Sequence, residues 1–484
     1  MNYKMMGRFI AQLISIEGVF LLPALCISLF YGEHSAVRGF ALTVAIILAV
    51  SALLYTLCRR AGRLFGAREG LVCVGLSWII LSLLGALPFF LSGHIPNYID
   101  ALFETVSGFT TTGASILSDV ESLPRGLLYW RSFTHWVGGM GVLVFLLAIS
   151  TGGEQGKGFT MHLMRAESPG PDVGKLVPKM KQTATILYGI YIVLTIVNIV
   201  LLLLGGMNWL DALCTAFGTA GTGGFGVRND SIASFSPYIQ NVTTVFMLLF
   251  GVNFSCYYLL LLRQFRGVFR DEELRTYVGI VIAAIVLISL NTFSIYGNLA
   301  DTVRHAAFKV GSIMTTTGST TTDYELWPAF SKGILLTLMV IGACAGSTGG
   351  GIKVARVLLL LKSLRRNIRQ IMNPKKVMVV RNNGRPVDEK VLDNTNAYLA
   401  AYVVIVIVCY LLISLDGFSI GTNLSAVLAC FNNIGPGMET VGPMFNYGCY
   451  SDFSTVVLSL AMLAGRLEIF PILVLSSRSA WKGR

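Results

Sequence analysis

Residues 103–113 of the chain read Phe-Glu-Thr-Val-Ser-Gly-Phe-Thr-Thr-Thr-Gly, and residues 308–318 read Phe-Lys-Val-Gly-Ser-Ile-Met-Thr-Thr-Thr-Gly. Six of these eleven positions are identical. Segments 212–225 and 425–437 share the pattern more weakly, since each is an apolar run that ends in glycine-containing sequence. Because an internal repeat indicates a repeated structural unit, the chain is predicted to contain four copies of one unit.

The sequence around these segments is that of a membrane protein. Of its 484 residues, 54% are hydrophobic and 13% are charged, whereas a soluble globular protein has roughly 25% charged residues. At about 20 apolar residues per span, we predict an all-α polytopic membrane protein with ten transmembrane helices. The predicted spans are residues 9–31, 39–58, 70–93, 128–151, 184–205, 238–262, 276–297, 330–361, 395–415 and 453–476.

Four apolar segments between these spans are too short to cross a bilayer and are predicted to be re-entrant: 98–114, 209–225, 299–318 and 420–437. Asp100, Asp211 and Asp301 stand near the starts of the first three, where a helix N-cap is expected. The unit is therefore span, half-helix, glycine turn and span. Residues 1–68 hold two leading helices, and the repeats are predicted at 69–182, 183–270, 271–390 and 391–484.

The charges predict the orientation of the chain. The formal net charge is +12, and the basic residues cluster in one set of loops, for example Arg59, Arg60, Arg63 and Arg68. Positive loops face the cytoplasm, so both termini are predicted to be cytoplasmic in a multi-pass protein of the plasma membrane. The basic segment 362–394 is either a solvated loop or a docking surface for an acidic cytosolic partner or anionic lipid. The loop 153–182 is a second candidate.

The four glycine turns suit a cation. A half-helix that enters from outside directs the partial negative charge of its C-terminus toward the membrane centre. Backbone carbonyls and threonine hydroxyls of the turn can then replace the hydration shell of an ion. No turn contains Asp or Glu, which favours K⁺ or Na⁺ over a divalent ion. The alternative is that Gly/Thr clusters only allow close helix packing.

Residues 342–351 contain five glycines inside a predicted span. A continuous helix would lose about 0.8–1 kcal/mol per glycine, so we predict an unwound segment that obstructs the pathway below the turns. The pair Gly342 and Gly346 could instead be a helix-packing motif. A nucleotide-binding P-loop is disfavoured because Lys353 does not follow Gly351 directly. Arg466 is either a positive charge lining the pathway or a residue that snorkels or pairs with Glu468.

At these residues the sequence resembles the Trk/Ktr/HKT superfamily of potassium transporters, and the two leading helices make it more similar to the TrkH branch. The most specific segments are 110–113, 221–225, 315–318 and 342–353. The resemblance implies four pseudo-repeats of a potassium-channel hairpin around one pore, an intramembrane gating loop and a homodimer. It also implies a cytosolic nucleotide-binding subunit of the TrkA type.

Carried over by position, the resemblance places the ion filter at Thr111, Thr112, Gly113, Gly221, Thr222, Gly223, Thr316, Thr317, Gly318, Asn433, Ile434 and Gly435. It places the gate at Gly346, Ser347, Thr348, Gly349, Gly350, Gly351, Lys353 and Arg466. Thr222 stands where an aliphatic residue is expected, and the fourth turn lacks the threonines of the others.

The sequence therefore predicts gated K⁺ uptake, with K⁺ bound in the filter, no organic cofactor and no nucleic-acid partner. Rb⁺ and Na⁺ are possible substrates as well. A K⁺ symporter coupled to Na⁺ or H⁺, or a poorly selective K⁺/Na⁺ channel, remains open. An enzyme is disfavoured because the five histidines form no catalytic set with acids or a nucleophile.

Overall fold

A computed structural model describes residues 2–59, 67–141 and 180–481. Arg60, Arg63, residues 153–179 of the loop 153–182 and residues 142–151 of the predicted span 128–151 lie outside these residues. In chain order the helices are α1 (Tyr3–Phe30), α2 (His34–Leu57), α3 (Ala67–Gly85), α4 (Leu87–Leu91), α5 (Tyr98–Phe109), α6 (Arg125–Gly139), α7 (Met180–Leu204), α8 (Trp209–Ala220), α9 (Pro237–Phe250), α10 (Phe254–Leu261), α11 (Phe265–Phe269), α12 (Glu272–Tyr296), α13 (Leu299–Met314), α14 (Ala329–Ile341), α15 (Val354–Met372), α16 (Glu389–Ile413), α17 (Ile420–Phe431), α18 (Asp452–Arg466), α19 (Phe470–Ser476) and α20 (Arg478–Trp481).

The described part of the chain is mostly helical, and it is a membrane protein. Six of its helices are long and apolar enough to cross a bilayer. They correspond to six of the predicted spans, which confirms the all-α membrane class. The leading helices α1 and α2 pack closely where Ser51 Oγ donates to Ala11 O at 2.9 Å and Gly18 lies against Ile47. Small and hydroxyl residues at such contacts let membrane helices approach each other.

The four predicted re-entrant segments form the short helices α5, α8, α13 and α17. The prediction that Asp residues cap them was wrong, because the N-caps are Asn97, Asn208, Asn298 and Ser419, whose side chains accept backbone N–H bonds. A capping side chain must sit just before the first helical turn to reach these N–H groups. The three Asp residues lie inside that turn, where a negative charge still favours the helix dipole.

Three predicted spans are interrupted. The predicted helix 330–361 ends at Ile341 and resumes at Val354, so the glycine-rich segment is unwound as predicted. The predicted helix 238–262 bends by 88° between α9 and α10, which the sequence did not indicate. Likewise α18 ends at Arg466, and Glu468 and Ile469 take positive φ values before α19 begins.

Between α15 and α16 the chain forms a small antiparallel hairpin. Its strands are β1 (Arg381–Asn382) and β2 (Arg385–Pro386), with Arg381 opposite Pro386. The Asn383-Gly384 turn carries positive φ at both residues, as the tight turns of two-residue hairpins require.

The largest hydrophobic core lies behind the C-terminal ends of the short helices. Phe103, Trp130 and Phe431 are buried in it together with residues of α1 and α3. Trp130 Nε1 donates to Gly85 O at 3.0 Å, and the Trp130 ring meets Phe109 edge to face. This packing fixes the ends of the short helices relative to the long ones.

Candidate functional site

The four short helices end in turns with the same backbone. We define turn 1 as residues 110–113, turn 2 as 221–224, turn 3 as 315–318 and turn 4 as 432–435. The third residue of each turn donates its N–H to the carbonyl five residues earlier at 2.7–2.8 Å: Thr112 to Ser107, Gly223 to Gly218, Thr317 to Ser312 and Ile434 to Ala429. This is the Schellman pattern that ends a helix. The same local structure is thus built four times from different sequences.

The second residue of every turn is left-handed although none is glycine. Their φ values are 57° at Thr111, 55° at Thr222, 60° at Thr316 and 56° at Asn433. A left-handed conformation is unusual for β-branched threonine and costs of order 1–3 kcal/mol. Such strain persists only where the surroundings enforce it, and it concentrates at functional sites. Each of the four residues is buried.

The register of turn 2 differs by one residue from the sequence-based assignment. The fourth turn residue is a glycine with positive φ, namely Gly113, Gly224, Gly318 and Gly435. Gly224, not Gly223, is therefore the turning glycine of turn 2, and Gly221 is the C-cap that corresponds to Thr110. Thr222 then matches Thr111 in its position and in its positive φ. The sequence Gly-Thr-Gly-Gly is compatible with both registers, and only the backbone conformation distinguishes the two.

The four turns meet in a closed ring. A Cβ atom added to Gly113 would overlap the Gly223 carbonyl oxygen, and one on Gly224 would overlap that of Thr317. The same holds for Gly318 against the Ile434 oxygen, and a Cβ on Gly435 would lie 2.7 Å from the Thr112 oxygen. Only glycine permits this approach of neighbouring backbones. All twelve predicted filter residues lie in turns 1–4, and Gly221 stands at the first position of turn 2, which corresponds to Thr110 in turn 1.

Side chains inside the ring are also polar. The Thr112 hydroxyl lies 2.7 Å from that of Thr110, and the Asn433 side chain donates to it at 2.9 Å. At the second position, where the other turns have threonine, turn 4 has Asn433, whose side-chain amide binds turn 1. Thr111 Oγ1 and Asn433 Oδ1 are buried and have no hydrogen-bond partner among the described residues. Buried oxygens of this kind are available to a ligand.

Buried charged side chains on the short helices form hydrogen bonds and ion pairs near the turns. Glu104 forms a buried ion pair with Arg131 and accepts from Ser115 Oγ and Ile116 N at 3.0 and 3.1 Å. The Arg131 guanidinium also donates to Gly226 O at 3.0 Å, so the pair ties turn 1 to turn 2. The ion pair with Arg131 makes Glu104 a pairing residue rather than an ion ligand.

Lys309 occupies the position in the third unit that Glu104 occupies in the first, nine residues before the turn glycine. Its Nζ donates to Thr320 Oγ1 at 2.9 Å and lies 4.6 Å from the ring centroid of Tyr324. Ser319 O accepts from Ser312 Oγ at 2.6 Å on the same side. An acidic residue, Glu104, thus lies behind turn 1, and a basic residue, Lys309, lies at the same position behind turn 3. Because these positions differ in charge, the ring has no exact fourfold symmetry.

The unwound residues 342–353, here called the intramembrane loop, press against turns 3 and 4. Gly350 N donates to Thr316 Oγ1 at 2.6 Å. A Cβ on Gly350 would overlap Asn432 O, and one on Gly349 would lie 2.8 Å from Thr315 O. The loop therefore occupies the space directly beneath half of the ring.

Two basic residues hold this loop. Arg466 donates to Thr348 O at 2.8 Å and to the carbonyls of Gly138 and Gly139, the latter at 2.7 Å. Lys353, which has a φ of 80°, donates to Gly349 O. Glu468 forms an ion pair with Arg356. Arg466 reaches across the space below the ring because α18 ends there.

A cavity of about 1060 Å³ opens on the other side of the loop. Its walls include Asn253, Lys353, Arg466 and loop residues from Ala345 to Gly351, and it extends to the hairpin at Asn383. Asn433 of turn 4 also lines this cavity, so the space, which is large enough for hydrated ions, extends from the hairpin past the loop to the ring.

Sequence reasoning missed two contacts of the loop. Phe254 N, at the bend between α9 and α10, donates to Gly346 O at 3.0 Å. Glu273 accepts from Ala345 N, which lies in the loop, and from Ala355 N, which lies in the first turn of α15. The only signal for Glu273 is an acidic run before an apolar helix, which elsewhere marks a helix start.

Glu439 connects the segment that follows turn 4 to the segment that follows turn 3. Its N–H donates to Glu325 Oε1 at 2.9 Å, and its carboxylate accepts from the hydroxyls of Ser419 and Thr422. The hydrogen bond from Ser419, and then that from Thr422, lowers the pKa of Glu439.

Comparisons with known proteins agree with this architecture. The TrkH family, described as a cation transport protein, matches residues 37–482. The Trk system potassium uptake protein TrkH of Salmonella typhimurium is 35% identical, and TrkG of Escherichia coli is 32% identical. The alignments cover 100% of both chains for the former, and 99% of this chain and 98% of the other for the latter.

A solved structure is also similar. The crystal structure of the potassium transporter TrkH from Vibrio parahaemolyticus matches with a TM-score of 0.88 at 32% identity, over 100% of both chains. The relatives are named as transport proteins rather than enzymes. With the family matched over most of the sequence and the fold matched over all of it, the chain belongs to the TrkH family of cation transport proteins.

Proposed function

We propose that this chain carries K⁺ into the cell across the plasma membrane through a filter formed by turns 1–4. The observation that carries the proposal is the ring in which each turn glycine abuts a carbonyl oxygen of the next turn. Carbonyl oxygens in such an arrangement can replace the hydration shell of an alkali ion. The names of the relatives as potassium uptake proteins support K⁺ as the ion.

The proposed architecture has ten transmembrane helices. Two of them lead the chain, and the other eight belong to four units that surround one pore. The unit boundaries proposed are 1–68, 69–182, 183–270, 271–390 and 391–484. Support comes from the four short helices, each ending in the same turn. The basic loop residues support cytoplasmic termini.

The chemistry of the ring favours a monovalent cation. Its ligands are neutral oxygens, and no group of three or more His, Cys, Asp or Glu side chains suited to a metal ion occurs within the described ranges. The filter proposed is Thr111, Thr112, Gly113, Thr222, Gly223, Gly224, Thr316, Thr317, Gly318, Asn433, Ile434 and Gly435. Because turn 4 contributes an amide and an aliphatic side chain, the ring offers unequal ligands. Some Na⁺ and Rb⁺ passage follows from that asymmetry.

The gate proposed is the intramembrane loop together with Lys353 and Arg466. The loop fills the space beneath turns 3 and 4, and its carbonyls are held by the two basic side chains. Both charges oppose entry of a cation from the cavity side. Opening requires the loop to leave this position, which short glycine-rich segments do at low cost.

The partners proposed are a second copy of the chain and a cytosolic nucleotide-binding subunit of the TrkA type. Support for a partner comes from the phrase "Trk system" in the names of the relatives. The basic segment 362–394 extends beyond α15 and provides exposed positive charge for an acidic surface. No nucleic acid is required.

The test is ⁸⁶Rb⁺ flux into liposomes, competed with Na⁺. The variant Gly113→Ser should lose preference for Rb⁺ over Na⁺, because its side chain would displace the Gly223 carbonyl. Deletion of residues 346–350 should raise the basal flux. Unchanged flux and selectivity in both variants would refute the filter and the gate together.

Whether uptake is coupled to another ion requires a separate measurement. A passive pathway should give flux that reverses at the K⁺ equilibrium potential, since each charge gains about 2.3 kcal/mol per 100 mV. A symporter would shift the reversal potential when a Na⁺ or H⁺ gradient is imposed.

A further inference from the structure

We propose that Glu273 is the positioning residue that holds the intramembrane loop closed, and that Asn383 at the hairpin tip sets the position of Glu273. The inference rests on the proposed function, because it takes the loop to be the gate. It assigns to these two residues the path by which the cytoplasmic side reaches the gate.

The carboxyl group of Glu273 binds the loop at Ala345 and the first turn of α15 at Ala355. Glu273 lies in the first turn of α12 and is 8% exposed. Its Oε1 accepts from Ala345 N at 2.5 Å and from Ala355 N at 3.2 Å. One oxygen atom therefore joins the beginning of the loop to the first turn of α15.

Neither amide has a replacement partner within a helix. Ala345 follows the end of α14, and Ala355 is in the first turn of α15, where N–H groups lack intrahelical acceptors. A carboxylate suits this place because the N-terminus of α15 carries partial positive charge. Loss of Glu273 would leave two buried donors unpaired, which favours any loop position that exposes them to water.

The residues before Glu273 bind the hairpin. Asn383 Nδ2 donates to Asp271 Oδ2 at 2.8 Å, and Glu272 N donates to Asn383 Oδ1 at 2.8 Å. Lys362 pairs with Glu272 and donates to Arg381 O at 2.9 Å. The first turn of α12 is thus fixed on one side to the hairpin and on the other to the loop.

This arrangement gives the hairpin control over the loop. The hairpin residues are largely exposed, whereas Glu273 and the loop ends are buried. A displacement of the hairpin would move Asp271 and Glu272, and Glu273 would move with them because all three belong to one helical turn. The carboxylate would then withdraw from Ala345 N and Ala355 N, and the loop would lose its anchor.

The experiment measures basal ⁸⁶Rb⁺ flux in liposomes that contain the full chain alone. Glu273→Ala should raise the flux roughly tenfold or more, since two hydrogen bonds to the Glu273 carboxyl oxygen are lost. Glu273→Gln should raise it less, because the amide oxygen can still accept. Asn383→Ala should also raise it, and the double variant of Glu273→Ala with Asn383→Ala should not exceed Glu273→Ala. The preference for Rb⁺ over Na⁺ should stay unchanged in all of them.

The matched control is Asp301→Ala, which removes a partly exposed carboxylate paired with Arg304 outside the loop, the hairpin and the segment 362–394. Its flux should equal that of wild type. Size-exclusion profiles and thermal unfolding identify a variant that fails to fold, in which case Glu273→Gln and Asn383→Ala decide the outcome.

Deletion of residues 346–350 separates the two hypotheses. If the deletion leaks while the folded Glu273 and Asn383 variants retain wild-type flux, the positioning role is refuted and the gate stands. If neither the deletion nor the Glu273 variants leak, the gate itself is refuted. Additive effects of Glu273→Ala and Asn383→Ala would overturn the proposed path from the hairpin.

Discussion

The substitution Gly224→Ala tests whether contact between neighbouring turns sets ion selectivity. Gly224 has a φ of 72°, and its added Cβ would overlap Thr317 O and lie 2.9 Å from Ser319 N. The left-handed backbone alone costs about 1–2 kcal/mol for a non-glycine residue. Forcing a methyl group against packed backbone adds about 1–3 kcal/mol. The turns must therefore separate, and the Thr317 carbonyl moves.

Gly206 provides a matched control. Its φ is 84°, but a Cβ added there would meet nothing within 4 Å. Gly206→Ala therefore has the same left-handed penalty without the overlap. Both variants should unfold at lower temperature than wild type, and Gly224→Ala should be the less stable.

The assay is ⁸⁶Rb⁺ flux competed with Na⁺ in liposomes. Each 1.4 kcal/mol of lost preference corresponds to about a tenfold change, so Gly224→Ala should lower the Rb⁺ over Na⁺ ratio by roughly tenfold or more. Gly206→Ala should leave the ratio at the wild-type value. Equal ratios in Gly224→Ala and wild type, or an equal fall in both variants, would refute the role assigned to the ring.

Three further predictions concern the side chains around the ring. Arg131→Met should reduce the free energy of unfolding by about 3–5 kcal/mol, because Glu104 is left buried without its partner. Adding Glu104→Gln should restore part of the unfolding temperature. A double variant that unfolds at the same temperature as Arg131→Met would contradict the importance of this ion pair. Arg466→Gln should raise basal ⁸⁶Rb⁺ flux roughly tenfold, because it releases a loop carbonyl. The ratio of Rb⁺ to Na⁺ flux should stay unchanged. If Arg466→Gln has the same flux as wild type, Arg466 has no gating role. The pKa of Glu439 is lowered by the Ser419 hydroxyl, so this contact stabilises the fold fully above the unfolded pKa of about 4.3 and is lost as the pH falls through the folded pKa. The stability difference between wild type and Glu439→Gln should therefore shrink below about pH 4, and a constant difference in thermal unfolding would disprove the assignment.

Much of the fold was predictable because apolar runs and repeats are local properties of the sequence. The bounds of α5, α8, α13 and α17 begin at the predicted first residues of the re-entrant segments. The interruption between α14 and α15 was predictable as well, because several adjacent glycines weaken any helix.

Other features depended on neighbours that the sequence does not reveal. The bend after Phe250 follows no proline, and it coincides with the contact of Phe254 N with Gly346 O. The register of turn 2 could not be read from Gly-Thr-Gly-Gly, because Gly223 and Gly224 differ only in φ. Glu468 forms an ion pair with Arg356, which is 112 residues away in the chain.

The sequence by itself determined that this is a helical membrane protein with four related glycine turns and a helix that must break at residues 342–351. These properties follow from hydrophobic length and from intrinsic glycine conformation, both of which act within a few residues. Only the tertiary structure decided that each turn glycine faces a carbonyl of the next turn, and that Glu273 joins the two ends of the loop. Such contacts form between segments far apart in the chain, where packing and hydrogen-bond geometry select one partner among many of similar chemistry.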